Sequence, residues 1–262
     1  MHKIRAFLII LLPFAVFGLI YSMMNLLPNY EVNPIDTQGT YQLEKTLFPV
    51  IDSGTGEVLI PSEYFQAHHV AWLDILTGLF YLLWVPLPIT YAVCQFFMGR
   101  ERRALRFSVA FLFVNLVGFV GYYVHPAAPP WYVMQYGFVA DVHTPGNVAG
   151  FAHFDELTGT QIFHSIYAKN ANVFAAIPSL HAAYNPIALY YALRNRQHAW
   201  SWVLAFVSVG ICFSAVYSSH HYIIDVTLGL LTTLFGLLFY EGLFMRFAPV
   251  VRLKGVLKKY LN

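Results

Sequence analysis

Three histidines and one aspartate carry the chemistry in this sequence. His181 ends the run Ile177-Pro178-Ser179-Leu180-His181, His220 and His221 are adjacent, and Asp225 lies four residues beyond His221. Residues four apart on a helix share a face, so a carboxylate at 225 can accept a hydrogen bond from one ring nitrogen of His221. That contact fixes the tautomer, leaves the other nitrogen free as a nucleophile, and stabilises an imidazolium or phosphoimidazole. His181 can then protonate a leaving alkoxide and later deprotonate an attacking hydroxyl. Pro178 suits the start of a helix. The free N–H groups of that first turn, beside Ser179, can bind phosphate oxygens. The chemistry is the breaking and remaking of phosphate esters. Two other readings stay open on these residues alone. One is a purely structural interhelical hydrogen bond between His221 and Asp225. The other is a zinc site made by His181, His220, His221 and Asp225. Adjacent histidines on a helix seldom point to one centre, so no metal and no cofactor is expected.

These residues need elements to hold them, and the composition says what kind. The 262-residue chain is 58% hydrophobic, 18% aromatic and only 11% charged, whereas an ordinary soluble domain is about 25% charged. A span takes about 20 apolar residues, so the length fits one all-α membrane domain over 1–262 with about six transmembrane helices. The apolar runs are Ala6–Leu27, Val70–Met98, Phe107–Val124, Ile177–Leu193, Trp200–Ser218 and Tyr222–Phe244. The first follows Lys3 and Arg5 but is too long for a signal core and lacks a cleavage site, so it reads as an anchor. Cys94 and Cys212 lie inside apolar runs and predict no disulfide. A net charge of +2 without a basic run excludes nucleic acid as a partner.

Six spans with a cytoplasmic start put 13 of the 15 Lys and Arg residues inside, with Lys45 and Lys169 outside. That bias predicts cytoplasmic termini. It also leaves two long outer segments, Pro28–His69 and His125–Ala176, where function should be sought. Tyr41–Val50 has the spacing of an interfacial helix, and Asp52 to Gly56 reads as a turn. His68 and His69 read as interface residues, and Asp74 as a carboxylate needing a partner in the bundle. His181, His220, His221 and Asp225 all fall at the same outer depth, although the charge count did not use them.

The motifs resemble the type 2 phosphatidic acid phosphatase superfamily. Pro178-Ser179-Leu180-His181 is similar to its Pro-Ser-Gly-His motif, and Ser214 to Asp225 to its Ser-Arg-x5-His-x3-Asp motif, with His221 seven and Asp225 eleven residues after Ser214. The resemblance implies a six-helix membrane fold and a metal-independent mechanism. By it His221 is the nucleophile, Asp225 its orienter and His181 the acid and base. The sequence departs from the phosphatase pattern at Ala215, where Arg is expected. Gly118 and His125 stand where an early Lys and Arg would fall. Those cations hold phosphate, and a dianionic monoester needs more charge compensation than a diester.

One branch shares the departures. His125-Pro126-Ala127-Ala128-Pro129-Pro130-Trp131-Tyr132, Leu180, the doubled His220-His221-Tyr222 and Ile60 to Phe65 look like inositol phosphorylceramide synthases. The resemblance implies transfer of a phospho-headgroup, phosphoinositol from phosphatidylinositol, to a ceramide-type lipid alcohol. The bilayer supplies both lipids. Candidate substrate-binding residues are Ser179, His220, His125, Trp131, Tyr132, Lys169 and Asp141. His125 and Lys169 are the outer candidates for a replacement cation. Asp141, Asp155 and Glu156, with Trp131, Tyr132 and Tyr136, lie in the loop placed to cover the site. A lipid phosphatase of the same superfamily and a non-catalytic lipid-binding protein are the alternatives. Intact His181, His221 and Asp225 argue against the latter. The short chain favours a bacterial plasma membrane.

Overall fold

Apolar runs bounded by charge, Pro or Gly become helices because a chain in lipid must satisfy its backbone hydrogen bonds internally. The computed structural model describes residues 2–168 and 172–247. Among them, four long apolar helices can cross a bilayer: α1 (His2–Met23), α6 (Glu101–Val124), α11 (His198–Tyr217) and α12 (Ile223–Gly242). The expected uninterrupted span Val70–Met98 is instead a bent pair, α4 (Ala71–Tyr81) and α5 (Pro86–Phe97), inclined by 44°. Pro86 and Pro88 have no N–H to continue a helix from α4. Counted as one span, the pair makes five. The expected sixth, Ile177–Leu193, is α10 (Leu180–Arg194), only 15 residues long. At 1.5 Å per residue that is about 22 Å, short of a ~30 Å hydrocarbon core.

A short helix suffices there because α10 is wrapped by protein. It packs against α5, α6, α11 and α12, and Ala182, Ala183, Ala188 and Ala192 let those neighbours approach closely. One close approach is at Gly229 on α12, where a Cβ would lie 2.1 Å from the Ser179 carbonyl oxygen. At the opposite end, Glu241 ties three helices together. It pairs with Arg106 of α6 and Arg194 of α10, and accepts a hydrogen bond from the Tyr191 hydroxyl at 2.5 Å.

The first outer segment contains α2 (Gly39–Leu47), at the expected interfacial helix, and α3 (Pro61–Ala67). Between them β1 (Val50–Ile51) and β2 (Val58–Leu59) form an antiparallel hairpin around the expected turn. Leu43 and Leu47 face outward while Tyr41 and Glu44 are buried. The second outer segment contains α7 (Pro130–Tyr136), α8 (Ala152–Thr158) and α9 (Ile162–Tyr167). Short parallel bridges Asp36–Ala127–Ala175 stitch the two segments to the residues before α10. Asp74 finds its partners on both sides, accepting from Tyr217 at 2.8 Å and contacting His69 Nδ1 at 3.0 Å.

Candidate active site

The site forms where α10 begins and where α11 turns into α12. Ser179 is the N-cap of α10, its hydroxyl accepting from the Ala182 N–H at 3.4 Å. Its own N–H donates to the Asp225 carbonyl at 2.9 Å, which joins the two helix starts. The α11–α12 turn is held equally firmly. The N–H groups of His220 and His221 both donate to the Ala215 carbonyl at 3.0 Å. Outer-segment groups occupy the turn's carbonyls: Trp131 N–H donates to Ser219, Gly150 N–H to Ser218 and the Gln66 amide to Tyr217. These bonds determine where the two histidines point.

The result is a relay. His181 Nδ1 lies 3.1 Å from His221 Nε2, and His221 Nδ1 lies 3.3 Å from Asp225 Oδ2. Asp225 Oδ2 also accepts the Tyr222 N–H at 3.0 Å, so the carboxylate is oriented by the helix it starts. In the tautomer whose Nδ1 proton is directed at Asp225, the Nε2 lone pair of His221 faces His181, with the Ala176 carbonyl also beside the ring. Burial disfavours a charged ring here and pushes His221 down to about 3. A neutral imidazole with one anchored nitrogen is a nucleophile, and a second imidazole within hydrogen-bond reach is its acid and base.

His220 is turned away. Its Nε2 sits 3.0 Å from the Val148 carbonyl, its ring stacks on Tyr167 at 4.2 Å, and burial pushes it too down to about 3. His181 is packed between Tyr81 at 4.9 Å and Trp84 at 4.5 Å. A cavity of about 130 Å³ opens from His181, His220 and His221, past Trp131 and Tyr184, to Phe17 and Tyr21 on α1. Its walls are largely aromatic.

The structure thus brings His181, His220, His221, Asp225 and Trp131 to one centre. The other described sequence candidates do not line the cavity. Ser179 is spent on the helix cap. Tyr132 is buried beside the cavity, its hydroxyl donating to the Val139 carbonyl and accepting the Asp141 N–H. Asp141 is exposed and accepts the His143 N–H. His125 pairs with Asp36 at 3.1 Å and does not line the cavity, though it lies within electrostatic reach of Asp225. Lys169 lies outside the described residues. Asp155 accepts the Phe163 and His164 N–H groups and so caps α9.

Gly118 and Leu180 share one space. A Cβ at Gly118 would meet the Leu180 side chain at 2.3 Å. Leu180 therefore fills the space that a side chain on residue 118 would need. Sequence reasoning also missed Glu44, Tyr81, Trp84 and Tyr167. Their types match any buried membrane residue, and only the folding of α2, α4 and α9 over the site gives them significance.

Phosphoinositol dihydroceramide synthase of Bacteroides thetaiotaomicron is 55% identical over 90% of this chain and 77% of its own. Inositol phosphorylceramide synthase of Candida albicans is 28% identical over 62% of this chain and 35% of its own. The inositol phosphorylceramide synthase catalytic subunit of Saccharomyces cerevisiae is 26% identical over 83% of this chain and 52% of its own. No solved structure matches the chain. The family match runs over residues 59–239, through both histidine motifs, and the chain belongs to the PAP2 superfamily.

Proposed function

We propose that this protein transfers phosphoinositol from phosphatidylinositol to the primary hydroxyl of a ceramide-type lipid, through a phosphohistidine on His221. The His181–His221–Asp225 relay carries this reading, and the activity named for the 55% identical relative supports the choice of lipids. His221 Nε2 attacks phosphorus, and the bond to the diacylglycerol oxygen breaks. His181 gives that oxygen its proton. The phosphoryl group enters between His221 Nε2 and His181 Nδ1, so the 3.1 Å contact opens as the donor binds. His181, now neutral, takes the proton of the lipid hydroxyl. That oxygen attacks phosphorus, the N–P bond breaks, and the product leaves with His221 restored. Asp225 offsets the positive charge that His221 develops in both steps.

The diester donor bears a single negative charge, which lowers the need for the cations replaced by Ala215, Gly118 and His125. The aromatic cavity disfavours water as the acceptor. In the membrane, the bent α4–α5 pair and the enclosed α10 complete six crossings, with both termini cytoplasmic and the site on the outer side. The bias of Lys and Arg supports that orientation. The bacterial relative supports a bacterial plasma membrane.

The test uses purified protein in detergent with headgroup-labelled phosphatidylinositol, with and without dihydroceramide. A labelled lipid product that requires dihydroceramide is expected. Water-soluble inositol phosphate released at the same rate with or without it would instead make the protein a hydrolase.

A further inference from the structure

A second carboxylate acts on the helix that carries Asp225. Glu44 belongs to the outer helix α2, yet only 1% of it is exposed. Its Oε1 accepts the Ile223 N–H at 2.8 Å and its Oε2 accepts the Ile224 N–H at 3.2 Å. These are the first two residues of α12. The preceding N–H, that of Tyr222, is taken by Asp225. Three consecutive donors at the start of α12 are thus held by protein carboxylates and are closed to phosphate.

Burying a carboxylate is costly unless it is hydrogen-bonded, and among the described residues Glu44 has no ion-pair partner. Two charge-assisted bonds at a helix N-terminus offset that cost. α2 is in turn braced through its first turn. Asp36 accepts the N–H groups of Gln38, Gly39 and Thr40 at its start. Tyr41 donates to Glu63 at 2.8 Å, which ties it to α3.

We propose that Glu44 is a positioning residue for the transfer reaction: reaching in from the outer helix, it clamps the first turn of α12 and so sets the angle at which Asp225 meets His221. The kinetic part of this proposal rests on the phosphotransferase reading, whereas the clamp itself does not. Asp225 and Tyr222 from α12 face Glu44, and Tyr222 also feels Tyr41 and Asp36 of the outer segment. Burial, followed by repulsion from Asp225, raises Glu44 to about 7. The ionised form accepts both N–H groups, and the protonated form keeps only one good acceptor. The clamp therefore tightens as pH rises through about 7.

The test is Glu44→Gln, with Glu44→Asp as the charge-retaining control. Misplacement of a catalytic group by a fraction of an ångström to 1 Å costs up to about 100-fold. Glu44→Gln should lower kcat by about 10- to 100-fold, with KM for either lipid unchanged. The wild-type rise in kcat through about pH 7 should vanish in Glu44→Gln and persist in Glu44→Asp. Amide hydrogen exchange at Ile223 and Ile224 should quicken in Glu44→Gln. This arm needs no turnover, so it decides the clamp even if the wild type proves inert on this lipid pair, which would count against the phosphotransferase reading instead. Wild-type kcat with an unchanged pH profile in Glu44→Gln would overturn the positioning role. Unchanged exchange at Ile223 and Ile224 would overturn the clamp.

Discussion

Replacing Asp225 with Asn keeps the shape of the side chain and removes its charge. In the resting site Asp225 Oδ2 serves both the Tyr222 N–H and His221 Nδ1, while Oδ1 has no partner among the described side chains. An asparagine can place its oxygen at Oδ2 and its amide at Oδ1, so both hydrogen bonds survive and His221 keeps its orientation. The loss is electrostatic. A unit charge about 4 Å from the ring is worth ~4 kcal/mol at an effective dielectric of about 20. Each 1.36 kcal/mol is a factor of ten in rate. Asp225→Asn should therefore lower kcat by about 1000-fold, with the melting temperature nearly unchanged. Initial rates of headgroup transfer in detergent, measured with both lipids saturating, give the number. A loss smaller than tenfold would show that Asp225 does not offset charge on His221 and would refute the reasoning.

Other consequences are independent of that one. Gly118→Ala should cost about 1–3 kcal/mol by overpacking against Leu180, and the cost should largely disappear in a Leu180→Ala background; additive losses in denaturant titrations would contradict the shared-space account. Asp36 is held below the usual carboxylate range, chiefly by the His125 ring beside it, and Asp36 raises His125 in return. Asp36 gives stability above about pH 4 that is lost as pH falls through its lowered pKa, and His125 gives stability below about 6.5 that is lost as pH rises through its raised pKa. The melting-temperature gap between wild type and His125→Ala should be widest between these limits and close as pH falls through the lowered Asp36 value or rises through the raised His125 value; a gap independent of pH would remove the pair from the stability of the outer segments. Transfer should survive a strong chelator, and a loss reversed by added zinc would restore the metal reading.

The site was legible in the sequence because its chemistry needs fixed residue types at fixed spacings. The i, i+4 pair His221–Asp225 lies at a helix start, where spacing alone determines geometry. Pro178-Ser179 before His181 marks another start at the same depth. Four to five of the six expected spans were legible because apolar length is a strong signal, but their internal geometry was not. The bend before Pro86 and the shortness of α10 depend on neighbours that cover backbone or fill space. Even within one motif the substrate candidates part: Trp131 lines the cavity, whereas His125 pairs with Asp36, and Asp141 in the following loop accepts the His143 N–H. A polar residue in a long loop finds the nearest partner, and the sequence does not say which partner folding brings near. Glu44 was invisible for the same reason: one acid among several in an acidic segment, distinguished only by where α2 docks.

The central claim is a covalent phosphohistidine on His221. Headgroup-phosphate-labelled phosphatidylinositol would be mixed with the protein in the absence of ceramide and quenched in alkali, which preserves phosphohistidine. Wild type should retain label, His221→Ala should retain none, and added ceramide should move the label into lipid. An unlabelled wild type under conditions that support transfer, or label persisting in His221→Ala, would contradict the mechanism.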